Sequence, residues 1–194
     1  MAKLHVSFFD PLFDAHGPAL IKPARHDDAR GYFSEVWNSA DWADAGLPAY
    51  DWVQDNEAYS AAKGTTRGLH FQAPPFAQAK LIRAVRGTIF DVAVDIRRGS
   101  PSYGKSVAVT LSAETGEQLL VPRGFAHGYQ TLTPDTLVAY KCDNTYNVSA
   151  EGGLLWSDAL LDIAWPLPED VVMNGKDFSW PNLADLDSPF EADP

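Results

Sequence analysis

A single cysteine, Cys142, in 194 residues excludes an intramolecular disulfide framework and suits a reducing cytoplasm. Positive charge is scarce as well: 15 Lys and Arg stand against 26 Asp and Glu, a formal net charge of −11. That balance argues against nucleic acid as a partner, because nucleic-acid binders present a basic footprint. No apolar run approaches the roughly 20 residues of a bilayer span, and the stretch Met1 to His5 has no long apolar middle of the signal-peptide kind. A cytoplasmic protein with no membrane partner is the expectation. A Gly-x-Gly-x-x-Gly loop is also missing, so no nicotinamide site is expected. Repeats and low-complexity tracts are absent. The acids crowd into the first fifty residues and the tail (Glu169, Asp170, Asp177, Asp185, Asp187, Glu191, Asp193), while many Lys and Arg lie between. A locally basic pocket for a small anionic ligand is therefore compatible with the acidic total.

What is present reads as β-structure. Pro11, Gly17, Pro18 and Pro23 punctuate the first third and predict strands and turns rather than long helices. After Gly31, the run Tyr32-Phe33-Ser34-Glu35-Val36-Trp37 alternates apolar with polar residues, a strand signal. Residues 39–45 could form one short helical turn capped by Ser39. Segments 81–85, 88–95, 105–111, 117–121, 129–131 and 136–142 are rich in Val, Ile, Thr and aromatics. Gly87, Gly99-Ser100-Pro101, Gly116 and Arg123-Gly124 separate them. Short strands with regular turn signals predict an all-β sandwich or barrel. Pro166, Pro168 and Pro181 suggest that the chain from Trp156 wraps as an arm with short helical turns. The reading is one domain over residues 1–194, with a strand arm at about 1–50 and a second arm at about 156–194.

Chemistry concentrates in Arg67-Gly68-Leu69-His70-Phe71-Gln72, in Lys80, in Pro122-Arg123-Gly124-Phe125-Ala126-His127-Gly128, and in Tyr140 and Tyr146. A base (His70), a fixed cation (Lys80) and a phenolic acid (Tyr140) on one rigid sheet suit proton removal beside a carbonyl. The base takes the proton, the cation holds the enolate, and the acid returns a proton. Each residue also has a plainer reading. His70 could be a satisfied core histidine, Lys80 a solvated strand-edge lysine, and Tyr140 a core tyrosine. His127 could stabilise a turn, and Asp177 in Asn174-Gly175-Lys176-Asp177-Phe178 could be a loop acid.

Pro122-x-Gly124-x-x-His127 resembles the second motif of the cupin superfamily, whose fold is a double-stranded β-helix, or jelly roll. Where that motif continues with asparagine, this chain has Thr131. Where metal-binding cupins carry His-x-His and a nearby glutamate, it has His70-Phe71-Gln72. These motifs cannot assemble three ligands for a first-row metal, so no metal site is expected.

Over most of its length, from about residue 30 to about 183, the chain resembles the dTDP-4-dehydrorhamnose 3,5-epimerase family. The likeness rests on Arg30-Gly31-Tyr32-Phe33-Ser34-Glu35, Gln54-Asp55-Asn56, Lys63-Gly64-x-x-Arg67-Gly68-Leu69-His70-Phe71-Gln72 and Lys80-Leu81-Ile82-Arg83. It continues through Val85-Arg86-Gly87, Phe90-Asp91-Val92-Ala93-Val94-Asp95-Ile96-Arg97, the Pro122–Gly128 motif, Tyr140-Lys141-Cys142 and Lys176-Asp177. The resemblance implies a cupin-like all-β jelly roll with short peripheral helices, acting without a cofactor on a dTDP-sugar. It implies His70 as proton acceptor, Asp177 as the partner that orients and charges it, Tyr140 as proton donor from the opposite face, and Lys80 beside the C4 oxygen. Arg30, Glu35, Gln54, Asn56, Arg67, His127, Glu151 and Lys176 match nucleotide-sugar-binding positions, and Tyr146 the residue that stacks on thymine. It further implies a homodimer in which Arg30 and Glu35 reach the partner's site.

The chemistry of such a substrate suits these residues. One ketone at C4 acidifies the protons on both C3 and C5, so one base and one cation can serve both centres. Arg30 and Arg67 can bind a diphosphate bidentately, and Tyr146 can stack on a flat base. Three alternatives stay open at this point. One is an epimerase of another deoxysugar pathway that inverts a single centre; another is a nucleotide-sugar-binding cupin without catalysis. The third is a metal-dependent cupin, which the missing ligands weaken.

Overall fold

The structure, a computed structural model, describes residues 4–9, 13 and 17–192. Among these the strands, in chain order, are β1 (Leu4–Phe8), β2 (Ala19–Pro23), β3 (His26–Asp28), β4 (Gly31–Phe33), β5 (Gln54–Ser60), β6 (Thr66–Gln72), β7 (Lys80–Arg86), β8 (Thr88–Asp95), β9 (Arg97–Arg98), β10 (Ser106–Ser112), β11 (Gln118–Val121), β12 (Phe125–Thr131), β13 (Thr136–Cys142), β14 (Glu151–Gly153) and β15 (Phe190–Glu191). One helix, α1 (Ser39–Asp44), and short 3₁₀ turns complete the chain.

Two antiparallel sheets face one another. One runs β1-β2-β11-β7-β13-β5 and the other β10-β8-β12-β6-β14. This is the all-β architecture that the turn spacing predicts and the cupin-like jelly roll that the resemblance implies. Strand β8 shows why the sequence folds this way. Its residues alternate between two buried faces, Ile89 and Ala93 joining the core between the sheets and Val92 and Val94 the core outside. The inner core also takes Ile82, Val107, Leu111, Leu119, Phe125 and Val138. Each such fully buried aliphatic side chain stabilises the fold by roughly 1.5–3 kcal/mol.

Both outer sheet faces are covered in part. Trp156, Leu161, Trp165 and Phe190 from the C-terminal segment pack on the five-stranded sheet. Trp42 of α1 and Leu47 pack on the six-stranded sheet over Ile21, Leu81 and Leu120. β15 pairs in parallel with β9, fastening the segment's end.

Three local expectations need correction. The cap of α1 is Asn38, not Ser39: its Oδ1 accepts from the backbone N–H groups of Ala40 (2.9 Å) and Asp41 (3.3 Å), leaving Ser39 as the first helical residue. The aromatic strand predicted through Trp37 stops at Phe33, where β4 has only the three-residue β3 to pair with. β12 begins at Phe125 rather than Tyr129, since the Gly124 turn lets the chain pair with β8 at once. No helix among the described residues is long and apolar enough to cross a membrane.

Candidate active site

Register lays the inward side chains of the six-stranded sheet out in rows. Cys142 of β13 stands between Gln54 of β5 and Lys80 of β7, and Tyr140 between Asn56 and Ile82. Val138 stands between Ala58 and Ala84. From the facing sheet, β6 presents His70 opposite His127 of β12. These two strands can approach because Gly68 and Gly128 meet there. Gly68 has φ +125°, and a Cβ on it would lie 2.5 Å from Gly128 Cα. The register shifts between His127 and Tyr129, so that Arg67 and His70, three residues apart on β6, both line the same cleft.

The result is a cleft between the sheets with two adjoining lobes, about 400 Å³ and 330 Å³, both lined by His70, Lys80 and Tyr140. The larger lobe adds Arg67, His127, Lys176 and Asp177. The smaller adds Gln54, Asn56, Tyr146 and Glu151. Six strands of the two sheets, the loop that carries Tyr146 and one C-terminal turn therefore bring together eleven of the thirteen residues singled out in the sequence. Arg30 and Glu35 lie elsewhere. Arg30 follows β3 and pairs with Asp28 at 2.5 Å, and Glu35 Oε1 accepts from Asn38 Nδ2 at 3.0 Å.

His70 Nε2 meets Asp177 Oδ1 at 2.8 Å, the ring half-buried and the carboxylate buried. Asp177 is held in the 3₁₀ turn Gly175–Phe178, whose cap is Asn174. Burial alone would raise its pKa. Hydrogen bonds and charge from His70, the Gly68 backbone N–H and the Trp180 indole outweigh that and hold the carboxyl below its ordinary range. It is thus an anion ready to stabilise an imidazolium. Burial lowers the pKa of Lys80, with Cys142, Asp91 and Glu151 pulling the other way. Burial raises that of Tyr140, with Cys142 adding to the rise and Arg67 opposing it. At neutral pH the phenol is therefore a proton donor. Cys142, between them, is pushed up to about 11 by burial and is no nucleophile.

At the rim, Lys176 Nζ pairs with Glu151 Oε1 at 2.6 Å, and the Tyr146 hydroxyl donates to Glu151 Oε2 at 3.3 Å. Gln54 ties the rim strand to this loop, accepting from the Tyr146 backbone N–H at 3.0 Å and donating to Asn56 Oδ1 at 2.9 Å. His127 is no turn residue. It sits within β12, its Nε2 2.7 Å from Asp91 Oδ1. Asp91 was not singled out from the sequence, although an acid inside Ile89-Phe90-Asp91-Val92 signals a buried carboxylate that needs a partner. Trp180 was missed too, and nothing in its local pattern marks it. Among the described residues no three His, Cys, Asp or Glu side chains group as a set that could hold a metal ion.

The family model for dTDP-4-dehydrorhamnose 3,5-epimerase matches residues 13–185. The chain belongs to the dTDP-4-dehydrorhamnose 3,5-epimerase family. A relative of that name from Sinorhizobium fredii is 51% identical over 176 residues, covering 89% of this chain and 88% of the relative. The crystal structure of the Bacillus anthracis epimerase, with TDP and PPi bound, is 41% identical with a TM-score of 0.86, over 92% of this chain and 99% of that one. The Legionella pneumophila epimerase, in complex with dTDP-4-keto-L-rhamnose, is 37% identical with a TM-score of 0.86, over 94% and 95%. In that family frame, the cleft sets His70 on one sheet against Lys80 and Tyr140 on the other.

Proposed function

We propose that the chain converts dTDP-4-dehydro-6-deoxy-α-D-glucose to dTDP-4-dehydro-β-L-rhamnose, inverting C3 and C5 on the route to dTDP-L-rhamnose. The observation that carries this reading is the His70–Asp177 pair set across the cleft from Lys80 and Tyr140. His70 takes the proton from C3 or C5, and Asp177 stabilises the resulting imidazolium. The electrons move to the C4 oxygen, where the Lys80 ammonium steadies the charge. Tyr140 returns a proton to the opposite face; solvent then takes the proton from His70 and reprotonates Tyr140, so both are reset for the second centre. No redox change occurs, so the reaction calls for no cofactor.

The rim group of Gln54, Asn56, Tyr146, Glu151 and Lys176 would hold the nucleotide, with thymine stacked on Tyr146. Arg67 and His127 would hold the diphosphate and the sugar. A homodimer, active in the cytoplasm, fits the β3–β4 hairpin, which leaves Tyr32 58% and Phe33 70% exposed. In the dimer these aromatics would be covered, and Arg30 and Glu35 would serve the partner's cleft. Removal of residues 1–40 should then abolish dimerisation and activity together.

The test is incubation with the 4-dehydro sugar nucleotide in deuterated water without added metal. Deuterium is expected at both C3 and C5, with the L-configured product trapped by a downstream reductase. Label at one carbon would reassign the protein to a single-centre epimerase, and none would leave a binding module. Tyr140→Phe should damage net inversion more than exchange, because the enolate can still form and be reprotonated from its original face.

A further inference from the structure

Trp180 stands behind the His70–Asp177 pair and lines neither lobe of the cleft. Its indole Nε1 donates to Asp177 Oδ1 at 3.4 Å, the same oxygen that lies 2.8 Å from His70 Nε2. The indole also meets the imidazole edge-on, with ring centroids 6.1 Å apart and planes at 74°. It is seated on a glycine. A Cβ at Gly153 would fall 2.6 Å from Trp180 Cδ2, and Gly153 is the register partner of His70 across β14 and β6. The position beside the base thus carries no side chain of its own, and a tryptophan from 27 residues further along fills the space (180 − 153).

We propose that Trp180 is a positioning residue for the base, fixing the Asp177 carboxylate and the His70 ring from the side away from the substrate; this rests on the epimerase reading above. The physical argument has three parts. The terminal torsion of an aspartate is broad and roughly two-fold, so each donor that fixes the carboxylate narrows its range. The Gly68 backbone N–H and His70 already bond it, and the indole adds a second side-chain donor on Oδ1, the oxygen that meets the base. An indole N–H is donor only, so it steadies the carboxylate without offering the proton another place to go. Its edge also limits rotation of the imidazole, keeping the ring nitrogen that Asp177 does not occupy aimed into the cleft. A base that serves two carbons in turn gains from this, since both abstractions depend on one ring orientation.

Two variants separate the N–H from the bulk. Trp180→Phe keeps an aromatic ring against Gly153 and removes the donor; Trp180→Ala removes both. In Trp180→Phe, deuterium wash-in at C3 and at C5 should slow by the same factor, about two- to tenfold, the size expected of one hydrogen bond. KM should stay within about twofold of wild type if substrate contacts are untouched. Trp180→Ala should slow both carbons further. A readout independent of substrate is the Asp177 carboxyl titration, followed by ¹³C NMR in the free protein. The titratable groups facing it are His70 on β6 and Lys176 on its own turn, unchanged in both variants, so its pKa should rise when the indole N–H is lost.

Three results would overturn the proposal. They are wild-type exchange and an unmoved Asp177 titration in a folded Trp180→Phe protein, a loss confined to KM, or unequal losses at the two carbons. If wild type itself shows no exchange, the epimerase reading fails, and the Asp177 titration alone still decides whether Trp180 holds the pair. Should Trp180→Ala not fold, the Phe variant carries the test.

Discussion

The cleft holds two histidine–aspartate pairs, and they are built differently. His127 and Asp91 lie on neighbouring strands of one sheet, with side chains 10% and 0% exposed, 2.7 Å apart. His70 and Asp177 join a strand to a C-terminal turn, with side chains 26% and 4% exposed, 2.8 Å apart. The first pair is sealed inside sheet pairing that fixes both members. The second opens its imidazole to the cleft and takes its carboxylate from a separate segment, supported by Trp180 and the Gly68 backbone. Both rings line the cleft, and on the proposed epimerase reading the more open one is the base. Chemically similar pairs thus differ in exposure and in how the acid is delivered.

The strongest way to break this comparison is at the exposed ring. His70→Ala should remove deuterium exchange at both C3 and C5, a loss of about 10²–10⁴-fold, the usual worth of a positioned general base. Nucleotide affinity measured by calorimetry should hardly change. Exchange surviving at one carbon would refute a base shared between them.

Next comes a matched pair of substitutions at the acids. Asp177→Asn should cut kcat by about 10²-fold or more, because the imidazolium loses its counter-charge. Asp91→Asn should cost stability instead, about 1–3 kcal/mol for a buried amide N–H left unpaired, with exchange within about tenfold of wild type. Thermal denaturation and exchange rates on both variants check this; equal kinetic damage would erase the distinction drawn here.

A third buried acid sharpens the contrast, since it touches no part of the cleft. Asp95 is 0% exposed. Burial would raise its pKa, but Arg97, Ser102 and Ser100 outweigh it and hold it below its ordinary range. A carboxyl whose folded pKa is depressed contributes stability above its unfolded pKa of about 3.9, and that contribution is lost as pH falls through the folded value. Asp95→Asn should therefore destabilise the protein by about 1.5–3 kcal/mol at pH 7, because Arg97, Ser100 and Ser102 lose a charged hydrogen-bond acceptor. The gap to wild type should narrow below about pH 4, in urea titrations at stepped pH. Exchange in the folded variant should be unchanged.

How much of this was legible varies with what each strand faces. The strands at 88–95 and 136–142 were read with their observed ends, because Val, Ile and Thr fill faces that pack on a core. β5, Gln54-Asp55-Asn56-Glu57-Ala58-Tyr59-Ser60, carries almost no apolar alternation and reads as polar chain. Its inner face lines the cleft and its outer face meets solvent, so ligand binding replaces the hydrophobic pattern that normally announces a strand. The site was legible where motif residues stand in order along the chain, as with His70, Lys80 and Tyr140. It was not legible where a partner is chosen by tertiary packing alone. Asp91 signals that it needs a partner without saying which one, and Trp180 meets the pair only because Gly153 leaves room beside His70.

The His70–Asp177 pair spans 107 positions of the chain. At 5–20 residues per second, a ribosome emits the acid about 5–20 s after the base. Every strand of the two sheets has by then left the ribosome ahead of it, since β14 ends at Gly153. The cleft can therefore take shape around a histidine that still lacks its counter-charge. The same C-terminal segment brings Trp165 and Phe190 to the outer core, so the layer that finishes the fold also delivers the carboxylate. In a growing chain, every strand of the two sheets is made before the acid that completes the His70–Asp177 pair.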